Sequence, residues 1–376
     1  MTLIEIKPLD TLFFRDARSF VIGEDTTAKG RLWPPLSTIT GALRSQYFRK
    51  FKKEFVNANT DKDSTLNIRI ESIFFKVEGK YQGIYCPMPR DIIAIKKPLD
   101  SSQEEKRESS RNQDPAIYHG TVATLKKIPE GASCSTRNTY YLSSEMKGKG
   151  IKDTALISVK DLDKYLKGEK KDFEIIDFRS LYSSEKKIGI ALDPSTKSVK
   201  ESHLYSIEMI RYQTVDSNLS FIIKLDLGNI DPSVFDKAVI RLGGEGKLAV
   251  LNVLSDVDNN QNEFYADYKI INSLTPIKKG DPLPDGIFKV YNIIHMHPEV
   301  LSESEQVCTS SGRPDWEGGF DMKKRKPKPT RFMIPRGSVH YLKGKQNNNN
   351  FQTPSKWGDL SQTTLFLGKI KGDKNE

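Results

Sequence analysis

The sequence predicts an α+β fold, and three observations near its start support this class. Residues 2–7 alternate apolar and polar side chains, as a half-buried strand does. Residues 33–55 carry apolar side chains at helical spacing. Residues 68–77 and 81–87 are strand-like runs joined by a turn at Gly79. A strand, a helix and a hairpin are the opening of a β-α-β-β ferredoxin-like unit.

The first predicted helix has a marked start and a continuous apolar stripe. Pro34 and Pro35 precede it. Ser37 and Thr38 lie in its first turn, where backbone N–H groups can hold a phosphate. Arg44 falls at the edge of the stripe by helical rotation, so we expect its side chain to be partly covered and directed along the sheet. The stripe consists of Leu36, Ile39, Leu43, Tyr47, Phe51 and Phe55.

The chain of 376 residues is long enough for about two domains. We expect an N-terminal domain over residues 1–200 and a C-terminal domain over residues 201–376. Two polar, charged stretches, at about 95–116 and 146–172, are predicted insertions. The remaining predicted elements are a short helix over 159–166 and strands over 188–192, 203–212 and 288–295.

A glycine-rich stretch organises the second half. An alternating strand over residues 221–228 leads to Asp231, which is typical of a helix N-cap. Apolar residues at helical spacing then predict a helix that runs through Leu242 and ends at Gly243. An apolar strand over residues 248–253 follows. The predicted order is therefore strand, helix, glycine-rich loop, strand.

Two interpretations of this loop stay open. Gly243, Gly244 and Gly246 would let a sugar-phosphate backbone approach the main chain. Arg241 and Lys247 beside them would neutralise its phosphates. The alternative is a helix cap followed by a tight turn. Because the glycines follow a helix instead of preceding one, the stretch differs from P-loop and dinucleotide-binding motifs.

The charge balance indicates an anionic partner. Lys and Arg number 59 against 49 Asp and Glu, which gives a formal charge of +10. In the first loop, residues 8–20, Arg15 and Arg18 are interleaved with phenylalanines, a pattern that can stack on bases and pair with phosphates. These aromatic residues could equally belong to the core. A second basic tract, residues 323–328, includes Lys326 and Lys328; it is a phosphate contact, a partner contact or a solvated loop.

Several classes of function find no support in the residue pattern. The three cysteines are scattered, which fits a reducing cytoplasm. No stretch approaches the ~18 apolar residues of a membrane span. His295 and His297 share a strand face but lack further ligands at a recognised spacing, so we expect no metal and no cofactor. A histidine-dependent RNA cleavage site would have to use one of His119, His203, His295, His297 and His340.

Several segments, in this order, resemble one family. They are PLDTLFFRDARSF, WPPLSTITGALRSQ, LGGEGKLAVL, GGFD, KPKP and IPRGSVHYL. Together they are similar to the RAMP superfamily of CRISPR proteins, in particular to the third-numbered subunit family of the type III-B Cmr effector complex. The resemblance implies two ferredoxin-like (RRM-like) βαββαβ domains with long insertions and a glycine-rich RAMP loop.

The resemblance also implies a non-catalytic role. Such a subunit grips the 5′ handle of crRNA and contacts the large polymerase-like subunit and the backbone RAMP subunits. Handle-binding positions are then expected in the first loop, at the start of the first helix, in the glycine-rich loop and in the basic tract. These are Arg15, Arg18, Ser37, Thr38, Arg44, Arg241, Gly243, Gly244, Gly246, Lys247, Lys326 and Lys328.

Two other functions remain as alternatives. A RAMP endoribonuclease would cut precursor crRNA without a metal, using a histidine as general base. A scaffold protein would join subunits without touching RNA.

Overall fold

A computed structural model describes most of the chain. The described residues are 1–15, 27–96, 117–132, 139–146, 150–151, 153–192, 195–196, 198–254, 262–277, 281, 284, 286–301, 306–318, 320–321, 326–344 and 364–370. Arg18 and most of the stretch 95–116 therefore lie outside the described residues. None of the helices within these ranges is long and apolar enough to cross a membrane.

The first half of the chain contains most of the strands of the main sheet. In chain order they are β1 (Thr2–Pro8), β2 (Thr27–Ala28), β3 (Arg69–Gly79), β4 (Gly83–Pro87), β5 (Ile92–Lys96), β6 (Ile117–Val122), β7 (Thr124–Lys127), β8 (Tyr140–Ser143), β9 (Gly150–Ile151), β10 (Ala155–Ser158), β11 (Asp172–Asp177) and β12 (Ser183–Leu192). The helices are α1 (Leu36–Lys50), α2 (Val159–Lys167) and, in the second half, α3 (Tyr265–Ser273).

The second half supplies the remaining strands. They are β13 (Val199–Arg211), β14 (Ser217–Asp226), β15 (Ala238–Arg241), β16 (Leu248–Val253), β17 (Gly286–Asn292), β18 (Gln306–Ser310), β19 (Asp315–Glu317), β20 (Phe320–Asp321), β21 (Lys326–Pro327), β22 (Arg331–Met333), β23 (Val339–Gly344) and β24 (Leu365–Gly368).

An eleven-stranded antiparallel sheet forms the framework, in the order β15-β16-β1-β14-β3-β4-β10-β11-β6-β5-β9. The smaller sheets include a three-stranded one, β12-β13-β2, and a four-stranded one, β18-β23-β17-β24. Antiparallel sheets with few helices confirm the α+β class. Strands from both sides of residue 200 belong to the same main sheet, while the division into two ferredoxin-like domains stays a prediction.

Several predicted elements are confirmed. The hairpin β3–β4, the helix α2 and the strands β1, β12, β13 and β17 occupy the expected positions within a few residues. The stretch 146–172 is more regular than an inserted loop, because β10 and β11 belong to the main sheet and α2 connects them.

The interior strand β14 is buried on both faces of the sheet, whereas its alternation predicted burial of only one face. Phe221 packs on Phe75 with ring centroids 5.2 Å apart. On the opposite face, Lys224 is 3% exposed. Its Nζ donates to the last carbonyls of α3, at 3.2 Å from Ile271 and Asn272 and 2.6 Å from Leu274. A cation at a helix C-terminus complements the partial negative charge of the carbonyls, so Lys224 fixes α3 on the sheet.

The helix α1 is shorter than predicted, and its apolar stripe is only partly buried. Leu36, Ile39 and Leu43 are at most 1% exposed and pack against the sheet. At Phe51 the backbone leaves the helical region, and a short 3-10 helix, Lys52–Asn57, follows. The prediction of one helix through residue 55 is therefore wrong. Phe51 and Phe55, at its predicted end, are 40% and 65% exposed.

The predicted helix before the glycines is also wrong. A single 3-10 turn, Pro232–Val234, is capped by the Asp231 side chain, which accepts from the Ser233 N–H at 2.9 Å. The chain then forms β15, which pairs with β16 as a hairpin. Within it Ala238 and Ile240 are buried, while Val239 is exposed. The buried residues thus follow the two-residue period of a strand. The sequence prediction chose a helix because the apolar residues of this segment also fit helical spacing.

A buried polar cluster joins the four-stranded sheet to the main sheet. Asp91 is fully buried and accepts from the hydroxyls of Tyr165 at 2.7 Å and Tyr341 at 2.8 Å. The Nζ of Lys289 lies 3.4 Å from the same carboxylate. Burial lowers the pKa of Lys289, although Asp91 acts to raise it. Because the Asp91 carboxylate contacts all three side chains, the cluster links α2 through Tyr165, β17 through Lys289 and β23 through Tyr341.

Candidate nucleic-acid interface

The glycine-rich loop is the tip of the β15–β16 hairpin, at the edge of the main sheet. The N–H of Leu242 donates to the carbonyl of Lys247 at 2.9 Å and closes the turn. Residues 243–246 are exposed. Gly243, Glu245 and Gly246 have φ values of 79°, 60° and 65°. Three positive φ values in four residues give a tight turn with an open main chain, which glycine adopts without strain.

The loop is seated on the main chain of the first predicted motif. The Gly244 N–H donates to the Phe13 carbonyl at 2.8 Å. A Cβ on Gly243 would lie 2.4 Å from the same oxygen, so a side chain at this position would push the two segments apart. Arg15, two residues further on, is exposed, and its backbone forms a bridge with Gly30. The structure thus brings Arg15 and the glycine-rich loop together.

The two phenylalanines of this motif belong to the core. Phe13 and Phe14 are 6% and 2% exposed. Their rings are therefore covered by the protein, and the hypothesis that they stack on bases is wrong. The core interpretation, which the sequence left open, is correct.

The cations beside the loop are bound to carboxylates. Lys247 Nζ lies 2.6 Å from Asp10 Oδ2, and Arg211 Nη2 lies 3.2 Å from Asp10 Oδ1. Arg211 also pairs with Glu185. The hydrogen bond from Lys247, and then that from the Thr11 N–H, hold the pKa of Asp10 below its ordinary value. The arrangement fixes the ammonium and guanidinium groups in place but neutralises much of their charge.

The hairpin β12–β13 completes this border. Lys187 Nζ lies 2.6 Å from Glu245 in the loop itself. Arg241, the last residue of β15, is exposed in the same hairpin as the loop. We call Asp10, Arg15, Lys187, Arg211 and the residues 241–247 the loop surface. Sequence reasoning missed Asp10, Lys187 and Arg211 because their sequence positions are far from most of their partners.

A second set of predicted residues lines a groove beside α1. This α1 groove has a volume of about 980 Å³. Ser37, Arg44 and Lys328 line it together, so the structure brings the basic tract to the first helix. The other lining residues that matter are Phe48, Arg49, Lys52 and Phe55, and the described lining contains no acidic side chain. The rings of Phe48 and Phe55 meet edge to face at 5.5 Å.

Arg44 is partly covered, as predicted, but it is held by another part of the chain than expected. Its Nη2 lies 2.7 Å from Asp63 and 2.8 Å from the Asn59 amide oxygen. The Asp63 carboxylate also accepts from Thr65 N–H at 2.9 Å. Arg44 therefore braces residues 59–65 against α1 and lines the groove from a fixed position.

The start of α1 is open to an anion only in part. Its N-cap is Pro35, which gives no side-chain hydrogen bond, and the first turn contains no acidic residue. Thr38 N–H donates to the Pro35 carbonyl at 3.0 Å. Ser37 and Thr38 are half-buried. Among the basic-tract residues, Lys326 begins β21, paired with Asp321 of β20.

Three of the predicted histidines lie in different surroundings. His340 is 1% exposed, and burial lowers its pKa to about 4. His295 is buried beside Glu317, with Nε2 2.8 Å from the carboxylate. His119 is on the surface, 3.6 Å from Asp172. Within the described ranges no three metal-ligating side chains come together.

The fold and these surfaces define an antiparallel α+β protein with an exposed glycine-rich hairpin bordered by cations. The chain belongs to the family "CRISPR-associated protein (Cas_Cmr3)", whose model matches residues 4–368. This confirms the family indicated by the sequence motifs.

The chain is similar to the CRISPR system CMR subunit Cmr3 of Saccharolobus solfataricus. The two are 25% identical over an alignment of 384 positions, which covers 97% of this chain and 96% of the relative. Among solved structures it is similar to a chain of the type III-B Cmr-β complex bound to cognate target RNA and AMPPnP. That chain shares 17% identity, with a TM-score of 0.48 over 90% of this chain and 86% of the other. A second structure, of the complex bound to cognate target RNA, gives the same values.

Proposed function

We propose that this chain is a non-catalytic subunit of a type III-B (Cmr) CRISPR effector complex that binds and positions the 5′ handle of crRNA. Family membership supports the assignment to the complex. The observation that carries the RNA-binding role is the exposed loop tip, which ends at Lys247 and is seated on the Phe13 main chain two residues before Arg15. In this proposal the chain is cytoplasmic, has two ferredoxin-like domains and contacts the large polymerase-like subunit and the backbone RAMP subunits.

The handle crosses the loop surface with its phosphates against the open main chain. Among residues 243–246 only Glu245 has a side chain, and the Gly244 N–H is bound to the Phe13 carbonyl. The N–H groups of residues 243, 245 and 246 are therefore the ones that reach phosphate oxygens. Asp10 already orients the side chains of Lys247 and Arg211. These two side chains therefore lose less conformational entropy when an RNA strand binds. Positioning by backbone contacts fixes the register of the strand without reading its sequence.

The α1 groove takes the adjoining nucleotides. Arg49, Lys52 and Lys328, which line the groove together, neutralise phosphates. Phe48 and the exposed ring of Phe55 are available for base stacking. Single-stranded nucleic acid binds where cations contact its phosphates and aromatic rings stack on its bases. The α1 groove offers both kinds of side chain, so it suits single-stranded RNA.

The test is a double substitution in the loop tip. Gly244→Asp with Lys247→Glu puts two negative charges on the exposed turn, and we expect handle RNA to bind much more weakly. Lys127→Glu, on the exposed strand β7, changes charge away from the loop surface and serves as the matched control. Fluorescence anisotropy with labelled handle RNA, on the chain alone and in the reconstituted complex, gives the affinities. Unchanged affinity of the double variant would contradict the proposal.

The burial of His295 and His340 supports the non-catalytic role, because a general base must reach the 2′-hydroxyl. Incubation of the chain with repeat RNA in EDTA should leave the RNA intact. A defined cleavage product that His119→Ala abolishes would favour the endoribonuclease instead. Photocrosslinking in the assembled complex separates both from a scaffold that never touches RNA.

A further inference from the structure

A separate cavity of about 370 Å³ lies between the main sheet and the C-terminal part of the chain. Its walls come from residues 31–33, the ends of β4 and β10, Phe178, and the segments that carry Trp316 and Arg336. Two of the motifs recognised in the sequence, WPP and IPRG, therefore meet here, and neither is explained by the loop surface. The lining residues are different from those of the α1 groove.

The turn that brings Arg336 into the cavity is rigid. Asn292 is fully buried, and its side-chain amide donates to the carbonyls of Ile294 and Pro335 at 2.9 Å each. The Gly337 N–H donates back to the Asn292 carbonyl at 2.8 Å. The guanidinium of Arg336 consequently lies over the Trp33 ring, 5.1 Å from its centre. The position of Arg336 is set by the fold and not by a ligand.

The cavity has an excess of positive charge. Arg31, Arg90, Arg313 and Arg336 line it, against the carboxylates Asp153 and Asp315. Arg90 is engaged by Asp153, at 3.0 Å. The Nε of Arg336, in contrast, is buried and has no hydrogen-bond partner within the described part of the chain. Since a buried donor without a partner is costly, an anion in the cavity would stabilise this guanidinium.

Aromatic rings also line the cavity. Trp33 is backed by Phe75, with ring centroids 4.0 Å apart. Trp316 stands at the rim, 50% exposed, and meets Phe332 edge to face at 6.0 Å. Arg31 donates to the Trp316 carbonyl and ties the rim to the floor. Flat aromatic and guanidinium faces together are suited to a nucleobase.

We propose that this cavity binds one nucleotide unit, with its phosphate at Arg31 and Arg336 and its base against Trp316. The volume is at the low end of the range for small-molecule sites, about 300–1,000 Å³, which suits a single nucleotide. An acidic peptide would use the guanidinium groups but would leave the aromatic faces without a matching partner. The unit can come from an RNA strand or from a free nucleotide, since both present the same chemistry. The inference does not depend on handle binding at the loop surface.

The full-length chain is titrated with adenosine 5′-monophosphate, followed by calorimetry and tryptophan fluorescence. Saturable one-to-one binding is expected, at least tenfold weaker in Arg336→Gln and unchanged in Arg69→Gln, an exposed arginine of β3. Trp316→Ala is a second variant, because a half-exposed side chain can be removed without emptying the core. It too should lose at least tenfold. Absence of binding, or wild-type affinity in both cavity variants, would overturn the inference.

Competitors identify the occupant. Inorganic phosphate binding as tightly as the nucleotide, or displacement by an acidic peptide of similar charge at equal concentration, would overturn the proposal. Handle RNA that displaces the nucleotide supports an RNA-borne unit, and RNA that binds without displacing it supports a free nucleotide. The Gly244→Asp, Lys247→Glu variant separates this site from the proposed function, since it should lose handle RNA at the loop surface and keep the nucleotide.

Discussion

Asp10 should weaken RNA binding in the native protein, so its removal should strengthen it. Its carboxylate lies 2.6 Å from Lys247 and 3.2 Å from Arg211, two of the cations of the loop surface. Asp10→Asn removes one negative charge and leaves both cations facing the strand. Lys247→Met removes one positive charge and should have the opposite effect.

The magnitude follows from counterion release. For single strands, each neutralised phosphate contributes about −0.7 to the slope of log affinity against log salt. Asp10→Asn should therefore steepen the slope by about 0.7, and Lys247→Met should flatten it by about the same amount. Over a fourfold rise in salt, a change of 0.7 in slope is about a 2.6-fold change in relative affinity. An effect of this size is within reach of anisotropy titrations.

The assay is a salt series with labelled handle RNA for each variant. Asp163→Asn is the matched control, because Asp163 is also 2.6 Å from a lysine, Lys167, on the surface of α2. Exposed ion pairs stabilise a protein by about 0–1 kcal/mol, so all three variants should remain folded. The control Asp163→Asn should keep the wild-type salt slope. If Asp10→Asn also keeps the wild-type slope, the role given to the loop surface is refuted.

Three further outcomes concern the fold. Burial lowers the pKa of His340 to about 4, so on acidification His340 is protonated in the unfolded chain before it is protonated in the folded chain. The free energy of unfolding should therefore fall by about 2 kcal/mol between pH 7 and pH 5. Denaturant unfolding of His340→Gln should lack this part of the pH dependence. Lys224→Met leaves the carbonyls at the end of α3 without their donor, which should cost about 2–3 kcal/mol by the same measurement; a loss below 0.5 kcal/mol would contradict the capping role. Gly243→Ala adds contact with the Phe13 oxygen to the strain of a positive φ, whereas Gly246→Ala adds strain alone, about 1–2 kcal/mol, so thermal unfolding should rank Gly243→Ala as clearly worse.

Local patterns were sufficient where one period dominates. The hairpin β3–β4 follows from alternation on both sides of a glycine turn, and α1 begins where the two prolines stop. The segment before the glycine-rich loop satisfies two periods at once. Apolar residues at 234, 235, 238, 239 and 242 fit a helix, while 238, 240 and 242 fit a strand. Pairing with β16 decides in favour of the strand, and that partner lies beyond the local window.

The candidate site was predictable in its residue types but not in its electrostatics. The glycines, Arg15 and Lys247 could be named because their chemistry is visible in a short motif. The partner of Lys247, Asp10, is 237 positions away in the sequence. Burial of Phe13 likewise depends on the sheet β12-β13-β2, since Phe13 packs with Ala28, Ile207 and Met209. No single-segment pattern carries such long-range contacts.

The paired charges of the loop surface bear on selectivity. Much of the net charge of +10 acts over the whole surface and attracts any polyanion. At the loop tip, however, Asp10, Glu185 and Glu245 are already paired with three of these cations, Lys247, Arg211 and Lys187. A strand that offers only phosphates must displace these carboxylates and gains little. In the proposed RNA binding, a strand whose bend fits residues 243–246 gains main-chain hydrogen bonds as well. The pairing of the nearby charges would then make selection depend more on the shape of the strand than on its charge.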